Sequence, residues 1–236
     1  MVSNSAKNNL QRDRPTTGGR GQARTRLARR AVVAAARELF LDRGYAATTI
    51  DAISNLADVP PATVYRLFTS KLGILKALLD TSIGGDDQAL AMQDRPDVAD
   101  LLTRTEPTEL LAGFTGITAA INQRSNEVYR VLVSAAGSDI AAAQLLAETQ
   151  QQRDRGQGEL ARGLARNGAL CAGLRESDAA DLIHALMSPE VFRLLVIDRH
   201  WTLEQYQQWL AITLTQQLVG TTEQGDPLEG FNAARS

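Results

Sequence analysis

Apolar residues recur at three- and four-residue spacing from about Thr25 to Arg43, where Val32, Ala36, Leu39 and Phe40 mark one face of a helix. Gly44 follows and suits the position just past a helix end. Thr48 and Thr49 are candidate N-caps for a short second helix carrying Ile50, Ile53 and Ala57. Asp58 ends that helix. Proline is well tolerated at a first helical position, so Pro61, second of the pair Pro60-Pro61, opens a third helix with Val64, Leu67 and Phe68. Ser70 then reads as the N-cap of a further apolar block, Leu72, Leu75, Leu78 and Leu79.

Past Asp80 the pattern loosens through Gly84-Gly85 and a charged stretch to Asp100. Helical periodicity returns over 98–104, 107–122, 125–137, 139–167, 177–188, 189–198 and 202–219. Thr202 with Gln205 forms a capping box, and Ser188-Pro189-Glu190 reads as N-cap, first position and an acid favoured by the helix dipole. The run Val191–Ile197 has the composition of a buried strand, but the chain offers no partner strand and its start signal is helical. The expected fold class is therefore all-α. It comprises an N-terminal three-helix domain over 23–80, followed by a larger helical domain over 81–220. A basic arm, 1–22, and a polar tail, 221–236, flank them. The arm is polar and glycine-rich, too poor in apolar surface to offset the entropy of ordering, and is expected to be mobile.

Charge sharpens the division. Residues 1–80 hold 13 Lys and Arg against 6 Asp and Glu, a net of +7, whereas residues 81–236 carry −9, together the −2 of the whole chain. A basic first third on an acidic remainder points the first third at a polyanion. No apolar run approaches the ~20 residues of a membrane span, and residues 1–30 hold no signal-like apolar core. The single cysteine, Cys171, forms no internal disulfide, and His184 and His200 lack metal-site spacing. The expectation is a cytoplasmic protein with no membrane, metal or cofactor.

The stretch Ala46–Leu79 has the layout a helix-turn-helix requires. Ile50, Ile53 and Ala57 pack one helix on Val64 and Phe68 of the next. Asp58 tolerates the left-handed region the turn needs. Ala62 and Thr63 are small enough for close approach to a groove, and Tyr65, Arg66 and Lys71 are long donors. The runs Arg43-Gly44-Tyr45-Ala46-Ala47-Thr48-Thr49-Ile50-Asp51-Ala52-Ile53, Ala57-Asp58-Val59, Ala62-Thr63-Val64-Tyr65-Arg66-Leu67-Phe68 and Ser70-Lys71 resemble the DNA-binding domain of the tetracycline-repressor (TetR) family over about residues 25–80. The resemblance implies that Thr49 caps helix 2 and touches a phosphate. It implies that Pro61, Ala62, Thr63, Tyr65 and Arg66 face the major groove, with Arg66 toward a base edge, and that Lys71 binds phosphate at the head of helix 4. Asp58 departs from the usual glycine, Pro60 from the usual serine-like cap, and Leu67 from the usual polar or aromatic residue.

Elsewhere the chemistry is thin. Gly156-Gln157-Gly158-Glu159-Leu160-Ala161 matches a dinucleotide fingerprint in letters, but no strand precedes it, so a coincidence within a helix is expected. No Gly-x-Ser-x-Gly elbow or Walker A loop exists, and no enzyme is expected. In 203–219, Leu203, Tyr206, Leu210, Leu214 and Leu218 form one stripe, while Trp209, Ile212 and Val219 lie nearly opposite. Two stripes fit one face on the core and one on a partner subunit, or a helix central to its own domain. A mainly apolar pocket with few acids is expected from Phe114, Ile117, Ile121, Tyr129 and Val133, with ordinary core packing as the alternative for each. The resemblance implies that 23–80 is a helix-turn-helix DNA-binding domain and 81–220 a helical ligand-binding and dimerisation domain, together a homodimeric, nucleoid-associated bacterial repressor released from a palindromic double-stranded DNA operator by a small apolar effector. The alternatives are an effector-independent architectural DNA-binding dimer and, more remotely, a helical enzyme.

Overall fold

Helices α2, α4, α7, α9 and α10, whose ranges follow, each begin at a residue whose side chain caps the first turn. The computed structural model describes residues 17–85, 95–101 and 103–220, and every regular element among them is helical. Helix α1 runs Thr17–Ala47 and bends at Gly44 (φ 78°, ψ 168°), a left-handed backbone that glycine adopts without strain. The buried Thr48 hydroxyl holds that bend, 2.8 Å from the Gly44 carbonyl oxygen and 3.1 Å from that of Leu39. Next come α2 (Ile50–Ala57), α3 (Pro61–Phe68) and α4 (Lys71–Gly84). Then follow α5 (Pro96–Leu101), α6 (Pro107–Ala136) and α7 (Ile140–Arg166). The last part holds α8 (Glu176–Leu186), the single turn α9 (Pro189–Phe192), a π-helical turn Arg193–Asp198, and α10 (Leu203–Leu218). The Thr202–Gln205 capping box forms in both directions, and Ser188 accepts from the Val191 N–H.

Element bounds differ from the sequence expectation in places. The first helix begins at Thr17, so part of the expected arm is helical; residues 1–16 and the tail 221–236 lie outside the described residues. The three helices of the expected helix-turn-helix domain are present as α1–α3, and α4 runs past Asp80 to Gly84. Residues 107–122 and 125–137 are one helix, α6: the polar run Asn122 to Asn126 interrupts the apolar pattern without interrupting the backbone. The strand-like run Val191–Ile197 is helical, as the Ser188 cap indicated, but winds in π form after α9.

Buried side chains gather in two groups. The first joins α1–α4 through Val32, Phe40, Ile53, Val64, Phe68, Ile74 and Leu75, and extends onto α6 and α7 through Val128, Leu132, Ala142 and Leu145. The second joins the first half of α6 to the last turns of α7, to α8 and to α10 through Leu111, Leu160, Leu164, Ile183, Tyr206, Leu210 and Leu214. Each large aliphatic side chain so enclosed stabilises the fold by roughly 1.5–3 kcal/mol. Helix α6 belongs to both groups and ties down the N-terminal helices. The Arg124 guanidinium donates to the Ser82 and Ile83 carbonyls at the end of α4 (3.2 and 3.0 Å), and Glu127 pairs with Arg37 of α1 at 2.7 Å. Among the described residues, no helix is long and apolar enough to cross a membrane.

Candidate nucleic-acid interface

Helices α2 and α3 meet through side chains that are fully enclosed, Ile53 and Val64, with Phe68 closing the far end. Thr49 stands exposed at the head of α2, its hydroxyl accepting from the Ala52 N–H at 3.1 Å. The turn depends on Asp58, which takes the left-handed conformation (φ 51°, ψ 43°) that the sequence required of it. Its neighbours lock the turn: the Val59 N–H donates to the Ser54 carbonyl at 3.1 Å, and the buried Ser54 hydroxyl donates back to the Val59 carbonyl. Pro60 offers no side-chain cap; its carbonyl accepts from the Thr63 and Val64 N–H groups at 2.8 and 3.1 Å instead.

With Val64 and Phe68 turned inward, the opposite side of α3 is open. Pro61, Ala62, Tyr65 and Arg66 are exposed, and Thr63 and Leu67 are half-buried beside them. Arg66 forms no hydrogen bond or ion pair among the described residues, so its guanidinium is available to an external acceptor. Arg24, Arg26, Arg29 and Arg30 stand exposed along the first half of α1. The Arg29 guanidinium lies over the Phe68 ring, 4.8 Å from its centre, so a cation sits at the end of α3 as well. Sequence reasoning noted neither this contact nor Ser54.

The corner from α3 into α4 is tight. Thr69 has φ 64°, the Ser70 N–H donates to the Phe68 carbonyl at 2.7 Å, and the Ser70 hydroxyl accepts from the Gly73 N–H at 3.0 Å. A Cβ on Gly73 would lie 2.0 Å from the Phe68 carbonyl oxygen. Gly73 therefore sets how closely α4 follows the recognition helix, and the sequence pattern did not mark it.

Lys71 departs from expectation. Its ammonium donates to the Tyr45 and Thr48 carbonyls at 2.7 and 2.8 Å, approaches that of Ala46 at 3.5 Å, and sits 4.3 Å from the centre of the Tyr45 ring. It thus caps the last carbonyls of α1, a favoured place for a cation, with two of its three N–H groups held at short range. Burial lowers its pKa, partly opposed by Asp139. The same two influences raise the Tyr45 hydroxyl.

The five expected pocket residues are not brought together. Phe114 and Ile117 pack on the second buried group, Ile121 is half-buried, and Tyr129 belongs to the first group with its hydroxyl 3.3 Å from Glu190. Val133 is 43% exposed and faces outward. The expected residues share α6, but α6 turns different ones to different neighbours. A shallow, open depression of about 510 Å³ lies instead against Leu101, Arg104, Glu109, Ala112, Gly113 and Ile117. Of the expected interface residues, Trp209 and Val219 pack against the second group, while half-buried Ile212 belongs to neither group. The Gly156–Ala161 motif lies inside α7, without the preceding strand a dinucleotide site needs.

Residues 32–78 match the family model described as bacterial regulatory proteins, tetR family. The HTH-type transcriptional regulator YdeS of Bacillus subtilis (strain 168) is 28% identical over 180 residues, covering 75% of this chain and 83% of that protein. Among solved structures, FadR of Bacillus subtilis, in complex with stearoyl-CoA, superposes with a TM-score of 0.63 at 18% identity over 81% of this chain and 98% of its own. NalD, the secondary repressor of the MexAB-OprM multidrug efflux pump in Pseudomonas aeruginosa, superposes with a TM-score of 0.59 at 20% identity over 81% of this chain and 96% of its own.

Proposed function

We propose that this chain, whose residues 32–78 match the TetR family model, is a DNA-binding regulator of that family: a cytoplasmic, nucleoid-associated repressor that holds a palindromic operator as a homodimer and leaves it when a small molecule binds. The observation that carries the reading is the open face of α3, with Ala62, Tyr65 and Arg66 exposed and Arg66 unpaired. An unpaired surface arginine is by itself an ordinary solvated charge; here it stands beside Ala62 and Tyr65 on the exposed face of α3. Arg66 reaches a base edge, Tyr65 and Thr63 reach phosphates, and Thr49 reaches the phosphate beside the head of α2.

One helix-turn-helix presents too few contacts for tight, specific binding, and two in fixed register match a palindrome. The second stripe of α10, with Trp209, Ile212 and Val219, is the surface proposed for that pairing. Release follows from the double membership of α6. A ligand that favours one placement of α6 also favours one placement of α4, because Arg124 grips the end of α4. It need bind only one arrangement better to shift the population.

Selection of bound sequences from a random DNA pool tests this directly. The expected result is one short palindrome whose half-sites lie about 34–36 Å apart, or a multiple of that. Enrichment of an asymmetric site removes the dimer, and protection spread evenly along DNA makes the protein architectural. The absence of enrichment removes the reading as a whole.

A further inference from the structure

Helix α1 outruns its packing. Its first buried residue is Val32, and the apolar contacts that anchor it begin at Ala28. Ahead of that point Gly21, Gln22, Arg24, Thr25, Arg26 and Leu27 are exposed, Leu27 at 67%. A Cβ on Gly21 would have nothing within 4 Å. The two turns from Gly21 to Leu27, about 10 Å of helix axis, therefore carry no apolar anchor among the described residues. Propensity helps them little, because Gly18, Gly19 and Gly21 each weaken a helix by their own flexibility.

Charge makes the segment less stable still on its own. Between Asp13 and Glu38 the chain holds seven arginines and no acid. Gln22, Arg26, Arg29 and Arg30 follow the spacing i, i+4, i+7, i+8, so they share one face, and all four are exposed. Arg26 thus faces Arg29 and Arg30 as like-charge neighbours, which disfavour the helix until an anion lies between them. Arg24 points elsewhere, about 120–160° round the helix from these three. The Arg29 guanidinium lies 4.8 Å from the ring centre of Phe68, the last residue of α3. The basic face therefore starts at the end of α3 and runs about 10 Å away from it toward Gln22. A lipid surface would require an apolar face beside the basic one, and Leu27 is the single large apolar residue from Gly21 to Arg30.

We propose that this face of α1 is a second DNA-contacting element, lying as a helix along the phosphate backbone beside the groove that α3 enters, with Arg26, Arg29 and Arg30 on phosphates. The proposal rests on the reading of α3 as the recognition helix and extends the contacted surface beyond α2–α4. Arg29 is the junction. Its stacking on Phe68 holds the guanidinium in place before DNA arrives, so less side-chain freedom is lost on contact. Contacts of this kind strengthen binding to every sequence alike and carry no base information. Phosphates between the arginines also remove their mutual repulsion, so the first turns of α1 gain helical stability on DNA.

The test measures binding of the full-length protein by fluorescence anisotropy over a series of salt concentrations. Two duplexes of equal length are used: the palindrome selected from a random pool and an unrelated sequence. Arg26→Gln and Arg29→Gln are each expected to lower the slope of log affinity against log salt by about one per bound protomer, equally on both duplexes. Arg29→Lys is expected to keep the slope. Arg24→Gln makes the same charge change off the proposed face and is expected to leave the slope at its wild-type value. Gly21→Ala adds helix propensity without a new contact and is expected to tighten both complexes about two- to fivefold per protomer. All four positions are exposed, so the fold is not at stake in these variants. A slope unchanged by Arg26→Gln and Arg29→Gln overturns the proposal. A loss confined to the palindrome makes these base contacts and overturns the backbone assignment. An equal loss from Arg24→Gln, or no tightening by Gly21→Ala, makes the segment an extended arm and overturns the helical face. Wild-type protein that binds neither duplex overturns the reading of α3 itself, which is a separate failure.

Discussion

Replacing Gly73 by alanine should separate close packing from helix propensity. In an open helix, glycine to alanine stabilises by roughly 0.5–1 kcal/mol. At Gly73 the new methyl would lie 2.0 Å from the Phe68 carbonyl oxygen, where real Cβ contacts stay beyond 3.0 Å, so the corner must open by about an ångström. The oxygen that has to move is the one accepting from the Ser70 N–H at 2.7 Å. Overpacking of this kind costs about 1–3 kcal/mol, and loss of the turn hydrogen bond about 0.5–1.5 kcal/mol. Set against the propensity gain, the net loss is roughly 2 kcal/mol, or about 4–8 °C in Tm for a chain of this size. Gly156→Ala in α7 is the matched control, since nothing lies within 4 Å of its Cβ, and it should raise Tm slightly. Because the same corner aims α3, Gly73→Ala should also weaken operator binding at temperatures where the protein is fully folded. Thermal and urea unfolding give the first quantity and fluorescence anisotropy with labelled operator gives the second. If Gly73→Ala matches Gly156→Ala in both, the close approach at this corner has no energetic weight and the reasoning fails.

Arg66→Ala should weaken specific binding by about 1–3 kcal/mol while leaving non-specific binding largely intact; equal losses in both would assign Arg66 to phosphate alone. Lys71→Ala should lower Tm by uncapping α1 and leave the salt dependence of binding unchanged, whereas a slope reduced by about one phosphate would restore the phosphate role. Trp209→Glu with Ile212→Glu should give monomers in sedimentation and abolish operator binding, and a double mutant that stays dimeric places the interface elsewhere. Burial pushes the Tyr206 hydroxyl up to about 12 from its ordinary value near 10. A raised acid of this kind adds stability below the unfolded value that is lost as pH climbs from about 10 to 12, so Tyr206→Phe should flatten the alkaline fall in stability seen by urea unfolding over that window.

The parts of this protein that the sequence determined by itself are those governed by contacts a few residues apart. Thr49, Ser70, Ser188 and the Thr202–Gln205 pair cap the helices they precede, and each does so through the backbone N–H three residues on. Asp58 takes the left-handed turn because a short acidic side chain tolerates it, and the inward face of α3 follows from the spacing of Val64 and Phe68. Tertiary structure alone decided what depends on groups far apart in the chain. Lys71 reads as a phosphate ligand until the carbonyls of Tyr45 and Thr48, more than twenty residues earlier, claim its ammonium. Gly73 reads as a weak point in a helix until the Phe68 carbonyl closes on it. The polar run at Asn122 reads as a break between helices, because hydropathy assigns amides to the surface. Only α9 and α10, folding over α6, turn that run into the interior, where Asn126 donates to the Pro189 carbonyl.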